Sequence, residues 1–322
     1  MHQVETCPVC AGTSQRVLKT HVFTYPGDDV QDHLLDYKFF ALWTLFERVL
    51  KDRTDAAFDL TLCENCGFIY SNPRFTEEDI ATKYITFNEL GTPELGAKHH
   101  PPFNLEGRAD RGYNLVNTYY SYKGAGQPKV LDFGGGAGYN LAPFTRDWTC
   151  GLVDYGNWDF PAGVTKLGND HRDLTPDQKF QVILLLHTLE HVPEPIPFLK
   201  TLAEHLDDDG AMYIEVPLGA FGEWKFMTEP LMHLNFFSEE SVCNAAKEAG
   251  LHLAHVETRY QWVTHSKLWC INLIAYKNPD VGPALRKKPL STRTQMSKLN
   301  YYLPYAINPR VVKKVLRKVT GR

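Results

Sequence analysis

The chain has 322 residues, 43% hydrophobic and 22% charged, the composition of a globular protein with room for one large and one smaller domain. Its net charge of −4 hides an asymmetry: residues 281–322 hold eleven of the 34 Lys/Arg and none of the 38 Asp/Glu, which leaves 23 bases against 38 acids, or −15, on residues 1–280. An acidic body argues against a main face that grips nucleic acid. The start, Met1–Cys7, offers no basic and apolar leader, and the densest apolar run, Val182–Leu186, is far too short to span a bilayer, so a cytoplasmic protein is expected.

In chain order, the first signal is a pair of Cys-x-x-Cys motifs, Cys7-Pro-Val-Cys10 and Cys63-Glu-Asn-Cys66. Four thiolates complete a tetrahedral Zn²⁺ shell, which makes a structural site, and the 52 residues between the motifs mean that the metal would join two distant segments. The other reading of the motifs is redox or unpaired thiols. Disulfides are the poorer expectation without a secretory signal. Cys150, Cys243 and Cys270 stand alone in apolar strand or helix positions, as small hydrophobes do. Residues 1–75 are thus expected to form a zinc-binding domain. Within it, residues 32–52 carry apolar and aromatic side chains at helical spacing, suited to core or to a cover on the substrate side. Gly67–Arg74 resembles a strand and turn.

Residues 76–127 read as a helical and lid-like linker. Thr76-Glu-Glu-Asp79 caps a short helix through Tyr84. Thr86–Phe103, with Gly91, Pro93, Gly96, Pro101 and Pro102, lacks periodicity and reads as a loop that could close as a lid. Leu105–Tyr122 is expected to be a helix.

The third domain, residues 128–280, opens on Val130-Leu-Asp-Phe133, an apolar run that enters Gly134-Gly-Gly-Ala-Gly138 and then a segment of helical character, Asn140–Phe144. A turn without Cβ atoms lets a ligand approach a helix N-terminus. Gly134, Gly136 and Gly138 give Gly-x-Gly-x-Gly, whereas a dinucleotide fingerprint wants Gly or Ala where Tyr139 stands. Asp132 would repel a pyrophosphate and attract an ammonium. An ordinary strand–helix loop is the plainer reading. Against it, Thr149–Asp154 reads as a second strand ending in an acid 22 residues after Asp132, where a carboxylate accepts from both hydroxyls of a ribose. Val182–Leu186 has the continuous apolar character of a central parallel strand and ends in His187-Thr-Leu-Glu190-His191.

These stretches, Val130–Gly138, Val153-Asp154 and Val182–His191, resemble the successive motifs of class I S-adenosylmethionine-dependent methyltransferases, over roughly Pro128–Tyr276. The resemblance implies an α/β fold: a Rossmann-like, seven-stranded methyltransferase sheet, its last strand antiparallel, beside the small N-terminal zinc-binding domain. It implies a cofactor, S-adenosylmethionine, which has an ammonium and no phosphate, lying across the carboxyl ends of the first strands. The residues it assigns to that cofactor are Asp132, Gly134, Gly135, Gly136, Gly138, Asp154, Tyr155, Asp173, Leu174 and His187. Asp173 could instead be a helix cap before Thr175-Pro176. Only nine residues separate Asp154 from the next strand near Val164, so the crossover helix there must be truncated. Helices are expected over Pro195–Leu206 and Glu239–Ala249, and strands over Ala211–Val216, Leu251–Gln261 and Trp269–Tyr276. Leu218–Phe237 reads as an aromatic insertion that lines a substrate pocket.

The zinc motifs ahead of such a core resemble a narrower group, bacterial methyltransferases of sugar, surface-glycan and natural-product pathways, best known for C-methylation of nucleotide-linked ketosugars. Cys63–Tyr70, the His187–His191 box and His233-Leu-Asn-Phe-Phe-Ser238 fit it. The resemblance points to His191 and His233 as alternative general bases and to Glu190 as their acidic neighbour; the plainer reading packs His187 on the cofactor and uses Glu190 to orient a helix. Two departures stand out. Pro230-Leu-Met232-His233 lacks the acid of the group's Tyr-x-Glu-His stretch, and Thr86-Phe-Asn-Glu replaces its Tyr-rich loop. That moves the expectation from C-methylation to O-methylation of a sugar or similar small-molecule or glycan acceptor. RNA methylation is a rival disfavoured by the acidic body, and a non-catalytic scaffold is disfavoured by the intact glycine turn. In the basic tail, residues 281–322, Val311, Val312, Val315, Leu316 and Val319 share a face opposite Lys313, Lys314, Arg317 and Lys318. Such a helix either lies on an anionic membrane at the inner face or packs on the protein's own acidic body.

Overall fold

A computed structural model of the chain describes residues 1–27, 37–90, 105–156, 158–221, 225, 227–263 and 267–296. The basic amphipathic segment of the tail and residues 91–103 of the expected lid lie outside the described residues.

The larger unit grows from β7 (Phe180–Leu186), in which all seven residues are buried. Ile183 and Leu185 face one apolar layer and Val182, Leu184 and Leu186 the other, so the strand's two-residue period feeds two cores at once. Around it run β4 (Lys129–Phe133), β5 (Thr149–Val153), β6 (Val164–Gly168), β8 (Leu206–Pro217), β10 (His252–Trp262) and β11 (Lys267–Tyr276), in the order β10-β11-β8-β7-β4-β5-β6. The pairs from β6 through β8 are parallel; β11 is antiparallel to both β8 and β10. This is the Rossmann-like seven-stranded sheet expected from the sequence. Strands leave β4 in one direction and return on its other side from β7, so the carboxyl ends of β4, β5 and β7 open a crevice at the switch point.

Two helices on one face, α4 (Pro195–Glu204) and α5 (Glu239–Glu248), bury Phe198, Leu199, Leu202, Val242, Cys243 and Ala246 against the sheet. The other face receives Val116 of α3 (Leu105–Tyr119) with Tyr120 just beyond it. The helical segment expected after the glycine turn is not an α-helix. Two 3₁₀ turns, Tyr139–Leu141 and Phe144–Arg146, replace it, because Pro143 lacks an N–H and its ring crowds the preceding turn. The β5–β6 link is short and holds no helix among the described residues, as its length required.

The N-terminal residues form β1 (Gln15–Thr24), β2 (Asp55–Cys63) and β3 (Ile69–Asn72), an antiparallel sheet closed by β9 (Asn235–Phe236) from within residues 128–280. The apolar segment around residues 32–52 contains α1 (Tyr37–Thr44) and a π-helical turn over Leu45–Leu50, packed with Phe58, Phe75 and Ile80. The helix expected to stop at Tyr84 continues as α2 (Glu77–Leu90), so Thr86–Leu90 is helical and not loop. Its cap is reciprocal: Thr76 N donates to Asp79 Oδ2 at 2.8 Å and Asp79 N to Thr76 Oγ1 at 3.2 Å. No Gly or Pro breaks the sequence until Gly91. The last described helix is α6 (Thr292–Met296). No helix among the described residues is long and apolar enough to cross a membrane.

Arg74 ties the two sheets together. It is fully buried, and its guanidinium donates to Pro193 O (3.0 Å from Nε) and to Asn235 Oδ1 (2.9 Å), while Asn235 Nδ2 donates to Leu189 O and Val192 O, both at 2.8 Å. Burial lowers the Arg74 pKa to about 10. This clamp fixes the backbone on either side of His191. Arg74→Met removes charge-assisted hydrogen bonds and orphans a buried carbonyl, so urea unfolding of the variant is expected to show a loss of about 3 kcal/mol.

Candidate active site and metal centre

The crevice is built on the turn after β4. Gly134, Gly136 and Gly138 have φ of +73°, +55° and +76°, values at which a side chain is strained. Space is equally short: a Cβ on Gly134 would stand 2.5 Å from Thr188 Oγ1, and one on Gly135 2.5 Å from Asp132 Oδ2. The turn docks on the end of β5 through Gly134 N to Val153 O (2.8 Å) and Gly136 N to Asp154 Oδ2 (2.8 Å); Gly156 N reaches Asp154 Oδ1 at 2.7 Å. Each oxygen of Asp154 thus accepts one backbone amide and keeps a lone pair for a ligand hydroxyl. Asp132 is fully buried; Asn140 Nδ2 donates to its Oδ2 at 3.2 Å, and its Oδ1 has no hydrogen-bond partner among the described residues. Burial pushes its pKa up to about 7, partly offset by Asn140 and by the charge of Arg108. A buried acid with one bare oxygen beside a side-chain-free turn fits a cationic ligand, and the fit of the crevice to S-adenosylmethionine rests on that feature.

Tyr155 follows Asp154. Its ring lies on Tyr84 of α2, centroids 5.2 Å apart and planes within 5°, its hydroxyl donates to Asp170 Oδ2 at 2.7 Å, and its carbonyl accepts from Asn88 at 3.0 Å. Asp173 is exposed and takes the capping role: its Oδ2 accepts from the amides of Asn169 (2.7 Å) and Asp170 (3.2 Å). Leu174 is buried and its amide is given to His171 O at 3.2 Å. The half-buried acid on this rim is Asp170; burial works against its charge, yet the hydrogen bonds of Arg172 and Tyr155 hold its carboxyl well below the usual range. The sequence offered no signal to separate Asp170 from Asp173, three residues on.

The two histidines of the box are set in opposite states. His187 adopts φ +59°, its amide bonded to Glu215 O at 2.7 Å. Its Nδ1 lies 3.3 Å from Glu190 Oε1, its Nε2 3.2 Å from Glu215 Oε1, and Cys270 Sγ stands 3.7 Å from Nε2. Burial opposes charging, but Cys270 and the two acids outweigh it and raise the His187 pKa well above its ordinary 6.5. Glu215 is anchored by Arg108 Nε (3.2 Å), Gln261 Nε2 (2.7 Å) and Tyr213 OH (2.9 Å). Burial resists its ionisation too, but Arg108 and His187 hold it far below the carboxylate range. His187 therefore holds its proton more tightly than a free imidazole and links Glu190 to Glu215 in the crevice wall.

His191 is the opposite case. Burial first, then the nearby charges of His233 and Lys83, keep its pKa well below 6.5. Its Nδ1 meets the carbonyl of Met232, which fixes the tautomer: Nδ1–H donates and Nε2 carries the lone pair, 3.9 Å from Glu190 Oε1. The His233 ring meets His191 edge-on at 4.9 Å. Two further groups stand nearby. Lys83 of α2 donates to Leu231 O at 3.1 Å, its pKa lowered to about 8 by burial, and Glu229 accepts from the amides of Leu231 (2.7 Å) and Met232 (3.1 Å). The one sequence signal for Lys83 was a lysine at an apolar helical position beside Ile80 and Phe87.

Cys7, Cys10, Cys63 and Cys66 converge, with Cys7–Cys66 and Cys10–Cys63 sulfurs both at 3.6 Å and all four within 4.8 Å. Four bonds of about 2.3 Å in a tetrahedron put sulfurs about 3.8 Å apart, so the cluster could hold one metal ion. The site is not isolated: Asn244 donates to Cys66 O at 3.4 Å, Thr292 to Gly67 O at 2.7 Å, and the cysteines share an apolar core with the sheet and α5.

Residues 103–256 match the family model described as a methyltransferase domain. No curated protein matches the chain. Among solved structures, the fold resembles a 1,6-didemethyltoxoflavin-N1-methyltransferase from Burkholderia thailandensis bound to 1,6-didemethyltoxoflavin and S-adenosylhomocysteine (13% identity, 69% of this chain and 95% of that one, TM-score 0.49). It also resembles a SAM-dependent methyltransferase from Aquifex aeolicus (19% identity, 57% and 97%, TM-score 0.42) and one from Methanosarcina mazei (13%, 51% and 97%, TM-score 0.41). Residues 103–256 thus form a methyltransferase domain.

The charge on His187 gives a test. Because the folded state binds this proton more tightly than the unfolded chain, the network's contribution is complete below about pH 6.5 and is lost as pH rises through the folded value. Imidazole ¹⁵N shifts of His187 are expected to report a doubly protonated ring well above pH 7 in the wild type, and a ring that titrates at lower pH in Glu215→Gln.

Proposed function

We propose that this protein methylates a hydroxyl of a sugar, glycan or natural-product intermediate. The observation that carries the reading is His191: a neutral imidazole at the cofactor end of β7, with Nδ1–H fixed by a carbonyl and Nε2 facing Glu190 and His233. Bound in the crevice, the cofactor would supply an electrophilic methyl group on a sulfonium. Asp154 would accept its ribose hydroxyls, Asp132 would answer its positive charge, and the glycine turn would leave room for its backbone-side approach. Nε2 of His191 is placed to take the acceptor's proton, and burial keeps that nitrogen unprotonated at neutral pH.

Glu229 bears on the choice between O- and C-methylation. It is the buried acid nearest in sequence to His233, and the amides of Leu231 and Met232 occupy its Oε2. It therefore serves to hold the strap that carries His233, and does not replace the acid missing at Met232 for abstraction of a proton next to a ketone. The Cys₄ cluster holds a structural zinc in this reading, and the basic tail brings the enzyme to an anionic membrane surface where lipid-linked glycans reside.

A screen with methyl-labelled S-adenosylmethionine against nucleotide-sugars, glycolipids and RNA tests the reading. Label in an ether of a hydroxylated acceptor is expected; label in a C-methyl branch or in RNA would contradict it. With that acceptor, His191→Ala is expected to lower kcat by about 10²–10⁴ with little change in the affinity for S-adenosylmethionine.

A further inference from the structure

We propose that Glu190, His191 and His233 form a site for a divalent first-row metal ion that binds and acidifies the acceptor hydroxyl. One donor atom from each residue lies within 4.8 Å of the other two. Ligands about 2.0–2.2 Å from a metal sit at most about 4.4 Å apart, so small side-chain rotations complete the shell. Glu190 is 1% exposed, and neither carboxylate oxygen accepts a hydrogen bond among the described residues. His187 Nδ1 answers Oε1 at 3.3 Å, but a buried carboxylate oxygen left bare, as Oε2 is, is costly unless something further completes it.

The surroundings are those of metal ligands. His191 gives Nδ1–H to the Met232 carbonyl and turns Nε2 to within 3.9 Å of Glu190 Oε1; a ligating histidine has its second nitrogen held this way. His187, itself tied to Glu215, plays the corresponding outer role for Glu190. The Arg74–Asn235 clamp holds the backbone that carries Glu190 and His191, and β9 begins two residues after His233.

Two imidazoles and one carboxylate leave about half of an octahedral shell open, and imidazole donors favour Mn²⁺, Fe²⁺, Co²⁺ or Zn²⁺ over Mg²⁺ or Ca²⁺. The open side suits an acceptor with two neighbouring oxygens, such as a vicinal diol of a sugar. A hydroxyl bound there becomes far more acidic, as zinc-bound water does when its pKa falls from 15.7 to about 7, and its proton passes to solvent with no change of oxidation state. In this arrangement His191 Nε2 is a ligand and gives up the general-base role it has in the metal-free site; the ion lowers the barrier to proton loss in its stead. The acceptor's role rests on the methyl-transfer reading; the metal site itself does not.

The test uses the full-length, zinc-loaded protein with Mn²⁺ alone as the probe, followed by electron paramagnetic resonance. One Mn²⁺ per chain, with nitrogen couplings from two imidazoles, is the expected result. His233→Ala is expected to weaken Mn²⁺ binding about tenfold or more while retaining wild-type thermal unfolding, and Glu190→Gln, which also loses its pairing with His187, to weaken binding to the same degree. No bound Mn²⁺, Mn²⁺ bound without nitrogen couplings, or unchanged affinity in both variants would overturn the site; the couplings in the wild type decide the matter even where a variant fails to fold. Methylation that survives in a protein binding no Mn²⁺ would remove the metal and leave the hydroxyl-methylation reading standing. Histidine-coupled Mn²⁺ in a protein that methylates no hydroxyl would uphold the site and remove that reading.

Discussion

Asp154 receives one backbone amide on each oxygen, from Gly136 and from Gly156, and that pair of bonds shapes the cofactor end of the sheet. The first pulls the glycine turn onto the end of β5, which brings the turn against Thr188 and leaves no room for Cβ atoms at Gly134 or Gly135. It also seals Asp132 beneath the turn, where burial pushes its pKa toward neutrality. A second acid that is only half-committed to its proton is costly in an unliganded fold. It becomes favourable when a positive charge arrives, because the same low dielectric strengthens attraction as well as penalty.

The same economy of position separates His187 from His191. They stand four residues apart, yet one lies between two carboxylates and the other between a carbonyl and positive neighbours, so their proton affinities diverge in opposite directions. Divergent environments of this kind separate roles: His187, in the wall, holds its proton more tightly than a free imidazole, and His191, beside His233, holds one less tightly. The N-terminal sheet takes part in the separation. Lys83 and Tyr84 come from α2, Arg74 follows β3, and β9 crosses from the larger unit to close the smaller sheet. The Cys₄ cluster sits in a core shared with α5, so a metal there would brace the surface from which those residues reach the crevice.

Much of the frame was legible because its causes are local. Five consecutive apolar residues from Val182 mark a central strand, the run of glycines marks a turn without side chains, and paired Cys-x-x-Cys motifs mark four convergent thiols. The helix after the glycine turn was misread because apolar spacing over Asn140–Phe144 outweighed Pro143. The length of α2 was missed because Gly91 and the prolines beyond it coloured the five helical residues before them. The inner electrostatics were not legible at all. Arg108 and Glu215 lie 107 positions apart, and only the packing of α3 across β8 brings them together around His187. Likewise, a two-residue strand such as β9 has no periodicity to read, so its partnership with β3 emerges only from the fold.

The central claim, that Asp132, the glycine turn and Asp154 seat S-adenosylmethionine, meets its most direct test in isothermal calorimetry of the purified wild type and of Asp154→Asn with that cofactor. The account expects one molecule bound per chain, and an affinity at least about tenfold weaker when the acceptor of the ribose hydroxyls is altered. Absence of binding by the wild type, or equal affinity in the two proteins, would contradict it.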